Sequence, residues 1–184
     1  MHYDNTARLF QALIEQLSLS VDAIADIVGP AADGLVACML NEQKVFSCGI
    51  GLDACTASLL SELLRTPTLR ERPALPVFEL SQVSAQPLTG AIQRLCDQLS
   101  ALGQPGDSAV IFGASLNAPS IEAITAVLNK RQITAVWIGA QGPGSSLTFP
   151  GTTGTTALSL CQASAICLAE LIDITMFGPL EDIP

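Results

Sequence analysis

The 184-residue sequence contains few charged residues, few aromatic residues and a single histidine. Charged residues make up 14% of the chain and aromatic residues 4%, whereas hydrophobic residues make up 49%. Disordered proteins combine low hydrophobicity with high charge, so this composition excludes disorder. The length suits one domain, and a second independent core is not expected. We therefore expect a single domain over residues 1–184, with much of its surface hidden in a buried sheet or against other subunits.

Positive charge is also scarce, since 8 Lys and Arg residues face 17 Asp and Glu residues, for a net charge of −9. Proteins that bind nucleic acid replace condensed counterions with basic patches, so no direct binding to nucleic acid is expected. No stretch approaches eighteen uninterrupted apolar residues, which predicts that no segment spans a membrane. The N-terminus lacks the pattern of a signal peptide, and a cytoplasmic location is expected.

The sequence has no motif for a metal or a redox pair. None of its six cysteines is spaced C-x-x-C, so neither a zinc knuckle nor a dithiol motif is present. The cysteines lie in apolar segments, which predicts buried and reduced thiols. The one histidine, His2, lies at the N-terminus. The sequence therefore predicts no metal and no other cofactor.

Short apolar runs alternate along the chain with segments of helical periodicity. Strands are predicted at 44–49, 76–80, 108–113 and 133–138, with a short edge strand at 147–149. Helices are predicted at 53–64, 88–102, 117–128 and 157–176, after two N-terminal helices that separate at Gly29-Pro30. Buried strands that alternate with helices are typical of a parallel sheet covered on both faces. The pattern predicts a doubly wound, three-layer α/β/α core over residues 43–184, preceded by the two helices within residues 1–42.

Two turns at the carboxyl ends of predicted strands are candidates for a ligand pocket, because doubly wound folds bind ligands at this edge. Gly49, Gly51 and Asp53 follow the first strand, and Ser115 and Asn117 follow the third. A phosphate would need backbone and hydroxyl donors at a helix N-terminus. If Asp53 caps its helix, the carboxylate uses those donors and its charge repels a phosphate.

Several segments resemble the SIS-type phosphosugar-binding domains. They are Cys48-Gly49-x-Gly51, the segment Arg70-Glu71-Arg72-Pro73-Ala74-Leu75-Pro76, the turn Ser115-Leu116-Asn117 and the C-terminal helix that ends at Met176-Phe177. The helix looks especially like that of the DnaA initiator-associating group, which are non-catalytic relatives of phosphoheptose isomerases. The resemblance implies a five-stranded, mostly parallel sheet in flavodoxin-like order. It also implies a homo-oligomer, specifically a tetramer, and a replication initiator protein as partner.

The chain departs from the isomerase pattern at the positions that carry chemistry. The first turn of phosphoheptose isomerases resembles C-G-N-G-G-S, whereas Ile50 stands here at the asparagine and Asp53 at the serine. The family's acid–base positions fall on Leu63, Leu158 and Ile166, which cannot transfer a proton. The resemblance thus predicts no catalytic residue and a non-catalytic adaptor. Two alternatives stay open: an isomerase of sedoheptulose 7-phosphate, and a sensor that binds a sugar derivative without converting it.

Two apolar surfaces are predicted to meet other proteins. Met176 and Phe177 pair a thioether with an aromatic ring at the end of the last helix, which suits a partner pocket. The alternative is that they only cap the core. At the other end of the chain, the leucines and isoleucine of the N-terminal helices are predicted to lie in a subunit interface. These interface residues are Leu9, Leu13, Leu17 and Ile24.

Overall fold

The structure is a computed structural model that describes residues 2–67, 70–82, 88–152 and 154–179. Within these ranges the chain forms five helices and five strands. In order they are α1 (His2–Leu40), β1 (Val45–Ile50), α2 (Asp53–Arg65), β2 (Val77–Gln82), α3 (Leu88–Leu102), β3 (Ser108–Phe112), α4 (Ala118–Arg131), β4 (Thr134–Ile138), β5 (Ser145–Leu147) and α5 (Thr155–Phe177).

The five strands form one sheet in the order β2-β1-β3-β4-β5, and every neighbouring pair is parallel. This is the flavodoxin-like order, so the predicted α/β fold class is confirmed. Strands β1 and β3 are buried along their whole length, as expected for central strands covered on both faces. The strand order reverses between β1 and β3, where Gly49 is paired with Phe112. The turns that follow these two strands therefore meet at the switch point.

Each face of the sheet packs on its own set of helices. Alternate residues of a strand point to opposite faces, so Val110 and Phe112 join one core and Ala109 and Ile111 join the other. The first core is closed by α1, α2 and α5, and the second by α3 and α4. The sheet is thus the middle layer of a three-layer sandwich.

The N-terminal segment is one continuous helix, so the prediction of two helices separated at Gly29-Pro30 is wrong. Pro30 lies inside α1 and denies the Asp26 carbonyl its intrahelical hydrogen bond. Asp26 and Pro30 are both exposed, so water can donate to the Asp26 carbonyl in place of the missing backbone N–H. Buried residues on both sides of the proline, Val28 and Ala31, hold the helix to the core. Tertiary packing here outweighs the local preference for a break.

Two smaller predictions also change. The edge strand β5 begins at Ser145 rather than at 147, inside the stretch predicted to be a loop. All six cysteines are free and four are buried, but Cys55 and Cys167 are exposed, so the prediction of buried thiols is wrong for these two. Both lie on the outward-facing sides of their helices, α2 and α5, a position that the apolar sequence around them does not reveal.

Helices α1 and α5 are long and apolar enough to cross a membrane by length and composition alone, with a mean hydropathy of 1.6 over their best windows. The core helix of a soluble protein passes the same test. In α5, Leu160, Leu168 and Ile172 are fully buried against the sheet and its neighbouring helices. Core packing therefore accounts for one side of α5, whereas Leu171 and Ile174 on another side of the helix are exposed.

Candidate functional site

The turn between β1 and α2 brings the first residue of α2 directly onto the end of the sheet. A Cβ atom at Gly49 would lie 2.3 Å from the backbone oxygen of Asp53, so this approach requires glycine. Gly51 has a φ of +64°, a left-handed conformation that glycine adopts without strain. Two of the predicted pocket residues thus shape the turn, and their effect is to place Asp53 at the switch point.

Asp53 links the turns that follow β1 and β3. Its side chain is buried, and its Oδ2 accepts hydrogen bonds from the backbone N–H of Ser115 at 3.0 Å and from the Ser115 hydroxyl at 2.7 Å. The prediction that Asp53 caps α2 is wrong, because the N-cap residue is Leu52 and no side chain caps this helix. Asp53 instead occupies the first helical position, from which its carboxylate reaches the donors of the neighbouring turn.

Asn117 faces away from that contact. It caps α4, as its sequence context predicted, and its Oδ1 accepts from the backbone N–H of Ser120 at 3.0 Å and from the Ser120 hydroxyl at 2.7 Å. Of the predicted pocket residues, Asp53 and Ser115 are in contact. Asn117 is held within its own helix.

Two further residues, which the sequence did not single out, close the switch point. Burial, together with a smaller contribution from the negative charge of Asp53, raises the pKa of the Cys161 thiol to about 12. A Cβ atom at Gly139 would lie 2.8 Å from the Cys161 sulfur and 2.9 Å from the Ala114 backbone nitrogen. The one signal for this contact in the sequence was Gly139, because it is a glycine at the end of β4 just as Gly49 is a glycine at the end of β1. Helix α5 and the loop after β4 therefore pack tightly around the Asp53–Ser115 pair.

Asp53 is thus a buried carboxylate whose hydrogen-bond donors, the amide and hydroxyl of Ser115, are uncharged. Across the described ranges, no ion pair reaches Asp53. The positive end of the α2 dipole and the two Ser115 donors stabilise its charge. Within the described ranges, no three His, Cys, Asp or Glu side chains form a group that could hold a metal ion.

The acid–base positions implied by the resemblance are occupied by apolar side chains. Leu63 and Leu158 are half-buried, and Ile166 is exposed on α5. Glu62 lies on the outer side of α2, where it pairs with Arg65 at 2.6 Å. Asp53, on the same helix, is buried whereas Glu62 is exposed, so the two carboxylates lie in different surroundings. These positions offer no group that could move a proton.

Arg72, from the segment that carries the resemblance, joins α2 to α5. Its guanidinium group donates to the carbonyl oxygens of Leu63 at 2.8 Å and Leu64 at 2.9 Å, in the last turns of α2. Its Nε also donates to a carboxylate oxygen of Asp173 on α5. Since cations stabilise the carboxyl ends of helices, the role of Arg72 is structural.

Arg70 holds the end of α5 in the same way. It donates to the carbonyl oxygens of Phe177 at 2.9 Å and Gly178 at 2.7 Å, and its Nε lies 2.7 Å from the second carboxylate oxygen of Asp173. One carboxylate thus receives both arginines, which fixes the point where the chain leaves α5.

The predicted partner-binding pair divides between core and surface. Met176 is half-buried and packs against the first core. Phe177 is 36% exposed, and its ring centre lies 5.9 Å from the guanidinium carbon of Arg72. Of the two, Phe177 is the more exposed side chain.

The fold and the switch-point turns are those of a doubly wound α/β protein with a flavodoxin-like strand order. Its sequence relatives carry two names. It is 26% identical to a phosphoheptose isomerase of Methylococcus capsulatus, over 96% of this chain and 98% of that protein. It is also 26% identical to the DnaA initiator-associating protein DiaA of Yersinia pseudotuberculosis, over 94% of this chain and 96% of that protein.

Solved structures agree on the fold. A phosphoheptose isomerase from Francisella tularensis matches with a TM-score of 0.81 and 20% identity, over 94% of this chain and 98% of the other. At that identity the likeness shows the fold alone. No protein-family model matches the chain. The chain is thus a SIS-fold relative of phosphoheptose isomerases and of DnaA initiator-associating proteins.

Proposed function

We propose that this protein is a non-catalytic, cytoplasmic SIS-domain adaptor that binds a replication initiator of the DnaA type as a homo-oligomer. The two groups of relatives match at the same 26% identity, so overall similarity does not choose between isomerase and adaptor. The observation that carries the proposal is the Asp53 carboxylate, which takes the donors at the switch point.

A phosphate at this edge would compete with Asp53 for the same groups. Both donors of Ser115 already point at the carboxylate, at 3.0 and 2.7 Å. Two unit charges about 4 Å apart near a protein surface repel each other by about 4 kcal/mol. A helix N-terminus offers an anion only about 0.3–1 kcal/mol in return. The repulsion is the larger effect, so the buried carboxylate keeps a sugar phosphate out.

The acid–base positions support the same conclusion. Isomerisation needs a general base and a group that polarises the carbonyl, and loss of a base alone costs about 10²–10⁴-fold in rate. With Leu63, Leu158 and Ile166 at these positions, purified protein should not convert sedoheptulose 7-phosphate. Turnover that Glu62→Gln abolished would show instead that an active site had been rebuilt around Glu62.

The pocket is tested by restoring the serine of the isomerase pattern. Asp53→Ser removes the carboxylate and leaves the Ser115 donors free, so inorganic phosphate should raise the melting temperature of this variant. The wild-type protein should show no such rise, because the site already holds an anion. Asp53→Ala controls for the added hydroxyl. A wild-type melting temperature that rose with sedoheptulose 7-phosphate would support the sensor or the isomerase instead.

The adaptor role is tested by titrating purified initiator against the protein. Phe177→Ala should weaken binding by about 2 kcal/mol if the ring is an interface anchor. Leu19→Ala, on an exposed residue of α1, is the matched control and should leave binding unchanged. If initiator binding stayed the same while the melting temperature fell, Phe177 would belong to the core and not to a partner surface.

The assembly completes the proposal. By the resemblance the oligomer is a tetramer, with residues 1–42 used in oligomerisation and residues 43–184 forming the α/β core. Each chain carries a net charge of −9, so the oligomer should not retard DNA at physiological salt unless the initiator is present. In this proposal a sugar derivative binds at the switch point only if the Asp53 carboxylate has moved away from the Ser115 donors.

A further inference from the structure

A cavity of about 330 Å³ opens at the amino ends of the strands, at the end of the sheet opposite to the switch point. The C-terminal part of α1 forms its wall, and the first residues of β3, β4 and β5 form its floor. Ligand pockets usually have volumes of about 300–1,000 Å³, so a small molecule fits. We call this space the amino-end cavity. It shares no lining residue with the turns that hold Asp53 and Ser115.

Three hydroxyl side chains lie across the floor of the amino-end cavity, one from each strand: Ser108, Thr134 and Ser145. Ser108 and Thr134 are paired in the register of β3 and β4, so they are direct neighbours in the sheet. Ser145 pairs with Val136, which lies two residues beyond Thr134 on the same face. Further along these three strands, the residues on this face belong to the apolar first core. The polar groups of the face are thus gathered at the cavity.

Two of the polar groups in the amino-end cavity have hydrogen-bonding capacity to spare. Ser108 is only 7% exposed, yet its hydroxyl has no hydrogen-bond partner among the described residues. Asn41 uses its side-chain N–H to bond the carbonyl of Ala37 at 2.9 Å, and within the same ranges its Oδ1 accepts from no donor. A buried hydroxyl without a partner costs free energy. A molecule in the cavity that donates and accepts hydrogen bonds would remove this cost.

The wall opposite these hydroxyls is apolar, and small residues leave room beside it. Pro30, Ala31 and Leu35 supply apolar surface on α1. A Cβ atom at Gly34 would contact nothing within 4 Å, so the space in front of the helix is open. Gly34 and Ala37 are exposed and lie at the mouth. The cavity therefore has one apolar side and one side of hydroxyl groups.

Every residue that lines the amino-end cavity is uncharged. The charged residues Lys44 and Asp107, which precede the strands β1 and β3, pair with each other at 2.7 Å. The carboxyl end of α1 adds a partial negative charge, and its last turn carries no basic residue. An anionic ligand would find no cation here, and a cationic ligand would find no carboxylate among the lining residues. The charges favour a neutral ligand.

We propose that the amino-end cavity binds a neutral polyhydroxylated ring, such as a sugar without a phosphate group. A hydroxyl group both donates and accepts hydrogen bonds, so the hydroxyls of such a ring match those of Ser108, Thr134 and Ser145. The C–H face of the ring suits the apolar wall of α1. This inference goes beyond the adaptor role and does not depend on it, because the cavity and the switch point lie at opposite ends of the strands.

The test is saturation-transfer NMR on the wild-type protein with three small molecules: D-glucose, myo-inositol and D-glucose 6-phosphate. At least one of the two neutral rings should receive saturation, and the phosphate ester should receive much less than glucose. Ala37→Leu places a larger side chain at the mouth of the cavity and should abolish the signal. Ala126→Leu is the matched control, since Ala126 is an exposed alanine of α4, on the other face of the sheet. It should keep the signal.

A second variant separates a lost contact from a lost fold. Thr134→Val keeps the shape of an exposed side chain and removes its hydroxyl, so circular dichroism should stay that of the wild type. The dissociation constant of the ring that responds should rise at least about threefold, as expected for one hydrogen bond. Asp53→Ser, at the other end of the strands, should leave this constant unchanged.

Three results would overturn the proposal. In the first, neither neutral ring receives saturation from the wild-type protein. In the second, the signal survives in a folded Ala37→Leu variant and is lost in Asp53→Ser, which would place the ring at the switch point. In the third, glucose 6-phosphate responds as strongly as glucose, which would contradict a neutral site. Failed initiator binding by a protein that keeps the sugar signal would contradict the adaptor role alone.

Discussion

Two buried aspartates lie at opposite ends of the parallel strands, and different groups hold their carboxylates. Asp107, just before β3, is fully buried and forms an ion pair with Lys44 at 2.7 Å. It also accepts from the backbone N–H groups of Lys44 at 3.1 Å and Gln104 at 2.8 Å. Asp53, at the carboxyl ends of the strands, is equally buried, but its carboxylate is held by the neutral donors of Ser115.

The difference separates a buried charge that has a counter-charge from one that lies at the strand ends where doubly wound folds bind ligands. Asp107 has a cation and two amides, so it ties the entry of β1 to that of β3 and leaves nothing unsatisfied. A buried charge without a counter-charge is costly and is commonly found at functional sites. Asp53 lies where doubly wound folds bind ligands, and in the function that we propose its carboxylate takes the place of a bound anion.

Removing Asp107 should have the largest effect on stability. Asp107→Ala leaves the Lys44 ammonium group without its partner, and loss of one member of a buried pair costs about 3–5 kcal/mol. We expect the low end, because the Lys44 side chain is 21% exposed. Asp107→Asn keeps an acceptor for the amides and should cost less. The measurement is urea unfolding, and a loss below about 1 kcal/mol for Asp107→Ala would remove the structural role of the pair.

Asp53 should tolerate substitution better. Asp53→Ala leaves the Ser115 amide and hydroxyl unpaired, which costs about 1–3 kcal/mol, but it also removes a desolvated charge. The same urea unfolding experiment should therefore show a smaller loss than Asp107→Ala. Asp53→Asn, which keeps one acceptor for Ser115, is the control. Equal losses for the two alanine variants would break the comparison and make Asp53 an ordinary structural residue.

The thiol beside Asp53 predicts a smaller, pH-dependent effect. Burial, together with the charge of Asp53, raises the pKa of Cys161 from an ordinary 9.0 to about 12. Between these values the unfolded chain releases a proton that the folded protein keeps, so stability falls as pH rises. At pH 10 the loss from one such thiol is on the order of 1 kcal/mol.

Urea unfolding at pH 8 and pH 10 measures the summed loss from the buried thiols, since burial also raises the pKa of Cys48, and Cys161→Ala should reduce this loss by the part that Cys161 contributes. In Asp53→Ser the loss should also shrink slightly, because burial and not Asp53 is the larger cause of the raised pKa. An unchanged pH dependence in Cys161→Ala would show that this thiol is not the group responsible.

The local pattern of the sequence determined the order of the elements and the two turns at the switch point. Continuous apolar runs identified the four longer strands, because a strand buried on both faces has no polar side. Asn117 could be assigned as a helix cap, since a cap depends on residues within one turn. Once the resemblance had supplied the acid–base positions, the sequence alone showed that apolar residues occupy them, namely Leu63, Leu158 and Ile166.

The tertiary structure decided what each of these residues contacts. Asp53 and Ser115 are 62 positions apart, and they meet only because the sheet order places the ends of β1 and β3 side by side. Helix α1 continues through Pro30 because residues on both sides of the proline, Val28 and Ala31, pack on the same core, which outweighs the local cost of proline. Periodicity shows that α1 has apolar faces. Only the position of α5 decides which apolar side chains this chain buries and which it leaves open.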